Sequence, residues 1–424
     1  MAILQVKSTN PHFSYLIKKN PDSGMIIKPI RKGLAHGWYS DEQTYNIYFK
    51  DADNEISYQE NIEETFEYLN VSRYNTALFP MNALSEFLSS AQKERQEQDV
   101  NGYTHELYIP FIHIEHAHYI ELFSNYFAGY VFDIHHEVHK NYALKIVTEK
   151  GLYDLLNVAN LLLLFLALTG KEYVDVSGKL IEKYLSQMKA LDAPYFIRYL
   201  FVQKALFSKK LFQQYHGELE QSDRYEIQFA FGNTAYQRRS FVEGLLPFSK
   251  SIIDIGCGEG YYAVPFSRKI GDNDYYAIDI DKEVLGTLQV KLDKNDCENV
   301  YPYASLASFL EVYNGEVVDV IVSEVIEHMP KEKAASLIQS ILKSIQFDSL
   351  IITTPNHDFN QFYVLDDYRH HDHDWEMGSE EFQAWMNTIL QNYGVDLEFL
   401  AIGDKVNGIS TTQGVLVKAR GEKT

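Results

Sequence analysis

Cysteine is nearly absent: Cys257 and Cys297 are the two among 424 residues. Two thiols make no disulfide framework, and such sparse use suits a reducing compartment, so a cytoplasmic location is expected. Positive charge is also short. Against 59 Asp and Glu stand 38 Lys and Arg, a formal net charge of −21, which excludes a protein that coats long nucleic acid by whole-surface attraction. It leaves room for a pocket that grips one strand end through a metal and a few arginines. No apolar run reaches the ~20 residues that a bilayer span needs. Residues 161–168, the most apolar, read as a buried helix, and the start M-A-I-L-Q-V-K-S lacks the apolar centre of a signal peptide. No membrane association is expected. Repeats and low-complexity tracts are missing too.

What is present is globular: 46% hydrophobic and 23% charged residues, in a chain too long for one ordinary core, which implies at least two domains. A polar, then aromatic stretch at 217–232 marks a boundary near 220. Residues 1–220 mix signals and read as an α+β domain. A strand is expected at 45–49 and a turn at 51–55. A helix should follow Pro80 with Asn82 as its cap, and the charged run 92–99 reads as a solvated helix end or linker. Seven histidines lie between 105 and 140, with His116 and His118 at strand spacing. Metal ligation there is conceivable, but no familiar ligand spacing appears, and scattered surface or edge-strand histidines fit as well. Helices are expected from 152 to a C-cap at Gly170, over 179–188, and over 195–212.

Beyond 220 the rhythm changes. Apolar strands at 251–255, 275–280, 299–303, 317–322 and 350–354 alternate with helices at 261–270, 282–292 and 331–344. This pattern predicts a doubly wound, Rossmann-like α/β sheet over 221–424, whose ligands sit beyond the carboxyl ends of the strands.

Three clusters fall at those ends. Residues 254–260, D-I-G-C-G-E-G, place Gly256, Gly258 and Gly260 where the backbone must approach a ligand and turn into a helix. Asp279 lies 23 residues beyond Gly256, at the end of the next strand, placed to accept ribose hydroxyl hydrogens. The set resembles a class I S-adenosylmethionine-dependent methyltransferase. That resemblance implies that Asp254 orients towards the amino acid moiety of the cofactor and that Ser305 approaches the adenine. A nicotinamide dinucleotide is the rival ligand. The second cluster, residues 323–330, reads S-E-V-I-E-H-M-P; Glu324, Glu327 and His328 share one face of a turn or helix start, where two carboxylates and an imidazole suit Mg²⁺ or Mn²⁺. A charged, solvated helix start would carry the same residues. The third cluster, residues 369–376, R-H-H-D-H-D-W-E, lies after the fifth strand and offers a further ligand.

Together these motifs resemble the terminal RNA 2′-O-methyltransferases that modify the 3′ ends of small RNAs, the HEN-type enzymes. E-V-I-E-H-M matches that family's E-x-x-E-H metal motif. T-P-N-H-D-F-N at 354–360 matches T-P-N-x-E-[YF]-N with Asp358 for Glu. The R-x-x-D-H-x-F-E-W motif aligns on 369–377, with Trp375 and Met377 in place of Phe and Trp. The resemblance implies His373 as fourth ligand beside Glu324, Glu327 and His328, and Arg238 and Arg369 as RNA contacts. More weakly, F-S-Y-L-I-K-K-N-P at 13–21 and G-L-A-H-G-W-Y at 33–39 resemble the bacterial branch. In that branch an N-terminal domain activates RNA ligation beside a polynucleotide kinase-phosphatase, and cleaved tRNA is repaired with a 2′-O-methyl at the break. The expected activity is metal-dependent methyl transfer from S-adenosylmethionine to the 2′-hydroxyl of an RNA 3′ end. Rivals are a small-molecule O-methyltransferase and a non-catalytic scaffold of a repair complex.

Overall fold

The computed structural model describes residues 2–31, 33–50, 75–170, 178–363 and 368–420; the turn expected at 51–55 lies outside them. The chain forms two compact units, Met1–Asp223 and Arg224–Thr424.

The first unit carries an antiparallel sheet of seven strands. In spatial order they are Ile26–Ile30, Gly33–Asp41, Thr44–Lys50, Ala2–Ser8, His105–His113, Asn141–Thr148 and Tyr130–Val138. Period-two alternation decides its faces: Ala2, Leu4 and Val6 are buried while Ile3 between them is exposed. Helix Leu152–Thr169 fills the core and is the one described helix long and apolar enough to cross a membrane, yet 78% of it is buried inside the unit. Its polar residues find internal partners: Asn160 Nδ2 donates to Gln187 Oε1 at 3.0 Å, and Gln187 Nε2 to Asn157 Oδ1 at 2.9 Å.

Several local expectations shift here. The helix placed after Pro80 begins at Leu78, before the proline, where the missing N–H is no loss, and Asn82 lies at its far end. The run 92–99 is not simply solvated. Asp99 is buried, accepting from the backbone N–H of Leu152 and Tyr153 at 2.6 and 2.8 Å, and so caps a helix 53 residues away. His116 and His118 sit at the entry to helix His118–Tyr126, not on a strand. The helix expected over 195–212 is two, Tyr195–Ala205 and Lys209–Leu219, because Ser208 accepts from the Leu211 N–H and starts a new one.

The second unit holds an eight-stranded sheet. Five parallel strands run in the order Val300–Tyr303, Tyr275–Ile278, Ile252–Ile255, Val318–Ser323 and Phe347–Pro355. The antiparallel strands Ile409–Ala419, Val395–Val406 and Ile227–Gln228 extend it. Ile253, Val320 and Ile352 pack with helices Lys331–Ser344 and Ser379–Leu390 on one face. Ile252, Ile321 and Ile351 pack with Phe266 and Leu288 on the other. Covering both faces forces the continuous apolar runs of the parallel strands and leaves only their carboxyl ends open to a ligand.

Candidate active site

Strand Ile252–Ile255 delivers the glycine loop. Gly256 has φ +74°, and a Cβ there would collide with Val325; Gly258 has φ +52° and open space around it. Gly258 N–H donates to Asp279 Oδ2 at 2.9 Å, while Asp279 Oδ1 accepts from Asp281 N–H at 3.0 Å. Asp279 thus ties the loop to the next turn. Asp254 is buried within the sheet, with Tyr275 Oη donating to it at 2.8 Å. Burial pushes its carboxyl up to about 7 against the lowering effect of that hydrogen bond, with help from Asp279. Ser305 caps helix Leu306–Leu310, its Oγ accepting from Ser308 N–H at 3.1 Å.

The next strand ends at Ser323 and breaks sharply. Glu324 adopts φ +57°, a left-handed conformation that a β-carbon makes unfavourable. Its carboxylate lies 3.2 Å from an Arg238 nitrogen and accepts from Thr353 Oγ1 at 3.3 Å. The turn Ile326–His328 follows, placing Glu327 fully inside and His328 at the rim. Thr354 Oγ1 donates to Glu327 Oε2 at 3.2 Å, and Oε1 has no partner. Burial, then the neighbouring Glu324, raises the Glu327 carboxyl far above its ordinary range.

The third cluster folds against this turn. Asp374 N–H donates to Glu327 O at 2.8 Å and Trp375 Nε1–H to Met329 O at 2.8 Å. His373 comes to rest with its ring 4.8 Å from that of His328. Among the described residues, Glu327, His328 and His373 form the one group of three metal-type donors, their atoms all within 4.8 Å of one another. Glu324 stands outside it. His370 and His371 are exposed.

Behind the group lies a support that the motif spacing did not reveal. His373 Nδ1 sits 2.7 Å from Glu376 Oε1, leaving Nε2 as the ring's other nitrogen. Glu376 also accepts from Asn360 Nδ2 at 2.6 Å and from Arg369 N–H at 2.8 Å. Burial alone would raise its carboxyl, but these bonds outweigh it and hold it below the usual range. Arg369 donates to Asn360 Oδ1, Thr411 O and Asn356 O at 2.6–2.7 Å, so its guanidinium joins strands instead of facing outward. Asp358 Oδ2 accepts from Ser379 N–H at 2.8 Å, starting the helix beyond. The T-P-N-H-D-F-N segment therefore supports Glu327 through Thr354 and His373 through Asn360 and Glu376. Gln237, likewise, is a buried bolt to Ala230, Gly232 and Asp404.

The sequence profile of the Hen1 N-terminal domain matches residues 3–224, more than half of the chain. The chain belongs to the Hen1 family. A methyltransferase-domain profile matches residues 252–346 of this Hen1-family chain, which carries the class I methyltransferase fold and, before it, a separate domain. A small RNA 2′-O-methyltransferase of Caenorhabditis elegans is 30% identical over 189 residues, covering 38% of this chain and 43% of that protein. Its Arabidopsis thaliana counterpart is 27% identical over 184 residues, covering 37% and 19%. The chain thus spans less than half the length of these curated relatives. A chain in the structure of the Pnkp1/Rnl/Hen1 RNA repair complex superposes with a TM-score of 0.81 at 25% identity, covering 98% of this chain and all of that one.

Proposed function

We propose that this Hen1-family chain transfers a methyl group from S-adenosylmethionine to the 2′-hydroxyl of the 3′-terminal nucleotide of RNA, with Mn²⁺ or Mg²⁺ held by Glu327, His328, His373 and Glu324. The observation that carries the reading is the Glu327–His328–His373 group at the carboxyl edge of the sheet, one strand from the glycine loop. The donors fit a divalent ion: a buried carboxylate oxygen lacks a partner, and imidazole and carboxylate together suit Mn²⁺ or Mg²⁺. The loop fits a nucleoside cofactor, since Gly258 faces open space beside Asp279.

When bound, the cation supplies charge that acidifies a ribose hydroxyl, and the cofactor supplies the methyl group. The chain's own work is positioning. Glu376 holds His373 in one orientation through Nδ1, so Nε2 is the atom offered to a ligand. Arg238 neutralises Glu324 beside the buried Glu327, keeping two acids close together. Asp279 fixes the loop at the distance that Gly258 sets. A cation held here that took both vicinal hydroxyls would select strand ends, because internal nucleotides lack a free 3′-hydroxyl.

The same reading assigns residues 1–220 a partner role beside a polynucleotide kinase-phosphatase and ligase, with cleaved tRNA as the substrate class. Full-length superposition on a chain of an RNA repair complex supports it. The deciding experiment offers labelled S-adenosylmethionine to RNAs ending in 2′,3′-hydroxyls, a 2′-deoxyribose or a 3′-phosphate, each with Mn²⁺, Mg²⁺ or EDTA. Label on the hydroxyl-ended RNA alone, abolished by EDTA, is expected. Label retained in EDTA, or on the 2′-deoxy end, sinks the assignment. Adding the chain to a ligase assay on cleaved tRNA tests the partner role: unchanged ligation would dismiss it.

A further inference from the structure

Arg238 and Arg239 are neighbours with opposite allegiances. Arg238 turns to Glu324, while Arg239 lies over two tyrosine rings, 4.3 Å from the Tyr261 centroid and 5.6 Å from that of Tyr236. One Arg239 nitrogen donates to the Tyr261 carbonyl at 3.3 Å, and no described carboxylate stands within ion-pair distance of it. The tyrosines divide in the same way. Tyr262 is buried, its hydroxyl 3.0 Å from Ser323 Oγ, whereas Tyr261 is 42% exposed. The inner pair therefore reaches Glu324 and the strand end that leads to it, and the outer pair, next in sequence to each, forms a more exposed rim.

The rim is built. Phe231 meets Tyr236 edge to face at 5.5 Å, and a Cβ on Gly232 would collide with the Tyr236 ring. Tyr236, braced by Phe231, and Tyr261 at the end of the glycine loop thus converge on one guanidinium. In a chain of net charge −21, a cation with no acidic partner among the described residues, next to a candidate methyl-transfer site, is a selective feature. A planar cation layered with an exposed aromatic ring is the chemistry that stacks an unpaired nucleobase and meets its phosphate.

We infer that Arg239 and Tyr261, backed by Tyr236, form a stacking platform for an unpaired base of the RNA upstream of its 3′-terminal nucleotide. The inference rests on the RNA reading above and gives it a requirement: the end must be single-stranded where it crosses this rim. It also adds Arg239 to the candidate RNA contacts Arg238 and Arg369.

The test uses the full chain, with binding of fluorescent single-stranded RNA ending in 2′,3′-hydroxyls followed by anisotropy beside methyl transfer. Tyr261→Ala should weaken binding about tenfold, and Tyr261→Phe should restore it. Arg239→Gln should flatten the log–log salt slope by about 0.7. Both Tyr261→Ala and Arg239→Gln should raise KM for RNA with little change in kcat, while S-adenosylmethionine affinity and the unfolding temperature stay near wild type. RNAs carrying single abasic sites upstream of the terminus should include one on which Tyr261→Ala has no further effect. Wild-type KM in both variants overturns the platform while leaving the methyltransferase reading intact. Failure of the wild-type chain to bind or methylate any RNA overturns both. Weaker cofactor binding in step with weaker RNA binding would assign the rim to the cofactor loop and overturn the platform.

Discussion

His373 is held through one ring nitrogen by a carboxylate that three hydrogen bonds keep ionised, so the support and not only the ligand should be measurable. Glu376→Gln preserves shape and removes charge. It is expected to lower Mn²⁺ affinity about tenfold or more, read by calorimetric titration; an affinity within twofold of wild type would show the support to be incidental. His373→Ala should abolish EDTA-sensitive methylation and leave S-adenosylmethionine binding nearly intact, which equilibrium dialysis checks. Asp254 makes a prediction of the opposite kind. Its carboxyl, buried and raised to about 7, holds a proton in the folded chain that the unfolded chain has released above about 4. Stability from this group is therefore complete at low pH and falls between pH 4 and 7, by on the order of 4 kcal/mol in all. Asp254→Asn should gain on wild type in stability as the pH rises from 4 to 7 and hold that gain above it. A constant difference in thermal unfolding across that window would refute the shift.

At the scale of elements, helix Leu152–Thr169 begins with a glycine and has no local cap; Asp99, far away in sequence, takes its first N–H groups. Asp99→Ala should cost about 1–2 kcal/mol, lowering the urea midpoint of the first unit's transition and not the second's. This bond also shows where sequence reading stops. Parallel strands, the glycine loop and the E-x-x-E-H turn were legible because each is a local pattern: apolar runs, glycines at positive φ, donors three and four apart. The partnership of Glu376 with His373 is local too, three residues apart, but the surrounding histidines and acids mask it. For Arg369 the motif resemblance implied an RNA contact; its internal bonds to Asn360, Thr411 and Asn356 were not legible in the sequence. The strands Ile409–Ala419, whose Thr411 carbonyl takes one Arg369 donor, and Val395–Val406 carry the sheet past its fifth strand and have no strand–helix rhythm to announce them.

For the whole molecule, charge is the governing quantity. A chain with a net −21 gains nothing from a polyanion except at places where cations are fixed. RNA affinity should therefore depend weakly on salt, with a log–log slope no steeper than about −2, whereas a coating protein of this size would show a much steeper one. Anisotropy titrations across a range of potassium chloride concentrations decide it.

Glu324 has a consequence for descent. Its left-handed backbone would sit more comfortably with glycine, so Glu324→Gly should unfold about 1 kcal/mol later than Glu324→Ala, with the ion-pair loss common to both. A lineage released from its chemistry would drift downhill at this codon, towards glycine or asparagine. If the proposed metal role holds, a glutamate kept at that position against the backbone's preference serves as a molecular fossil-test for chains still selected for this chemistry.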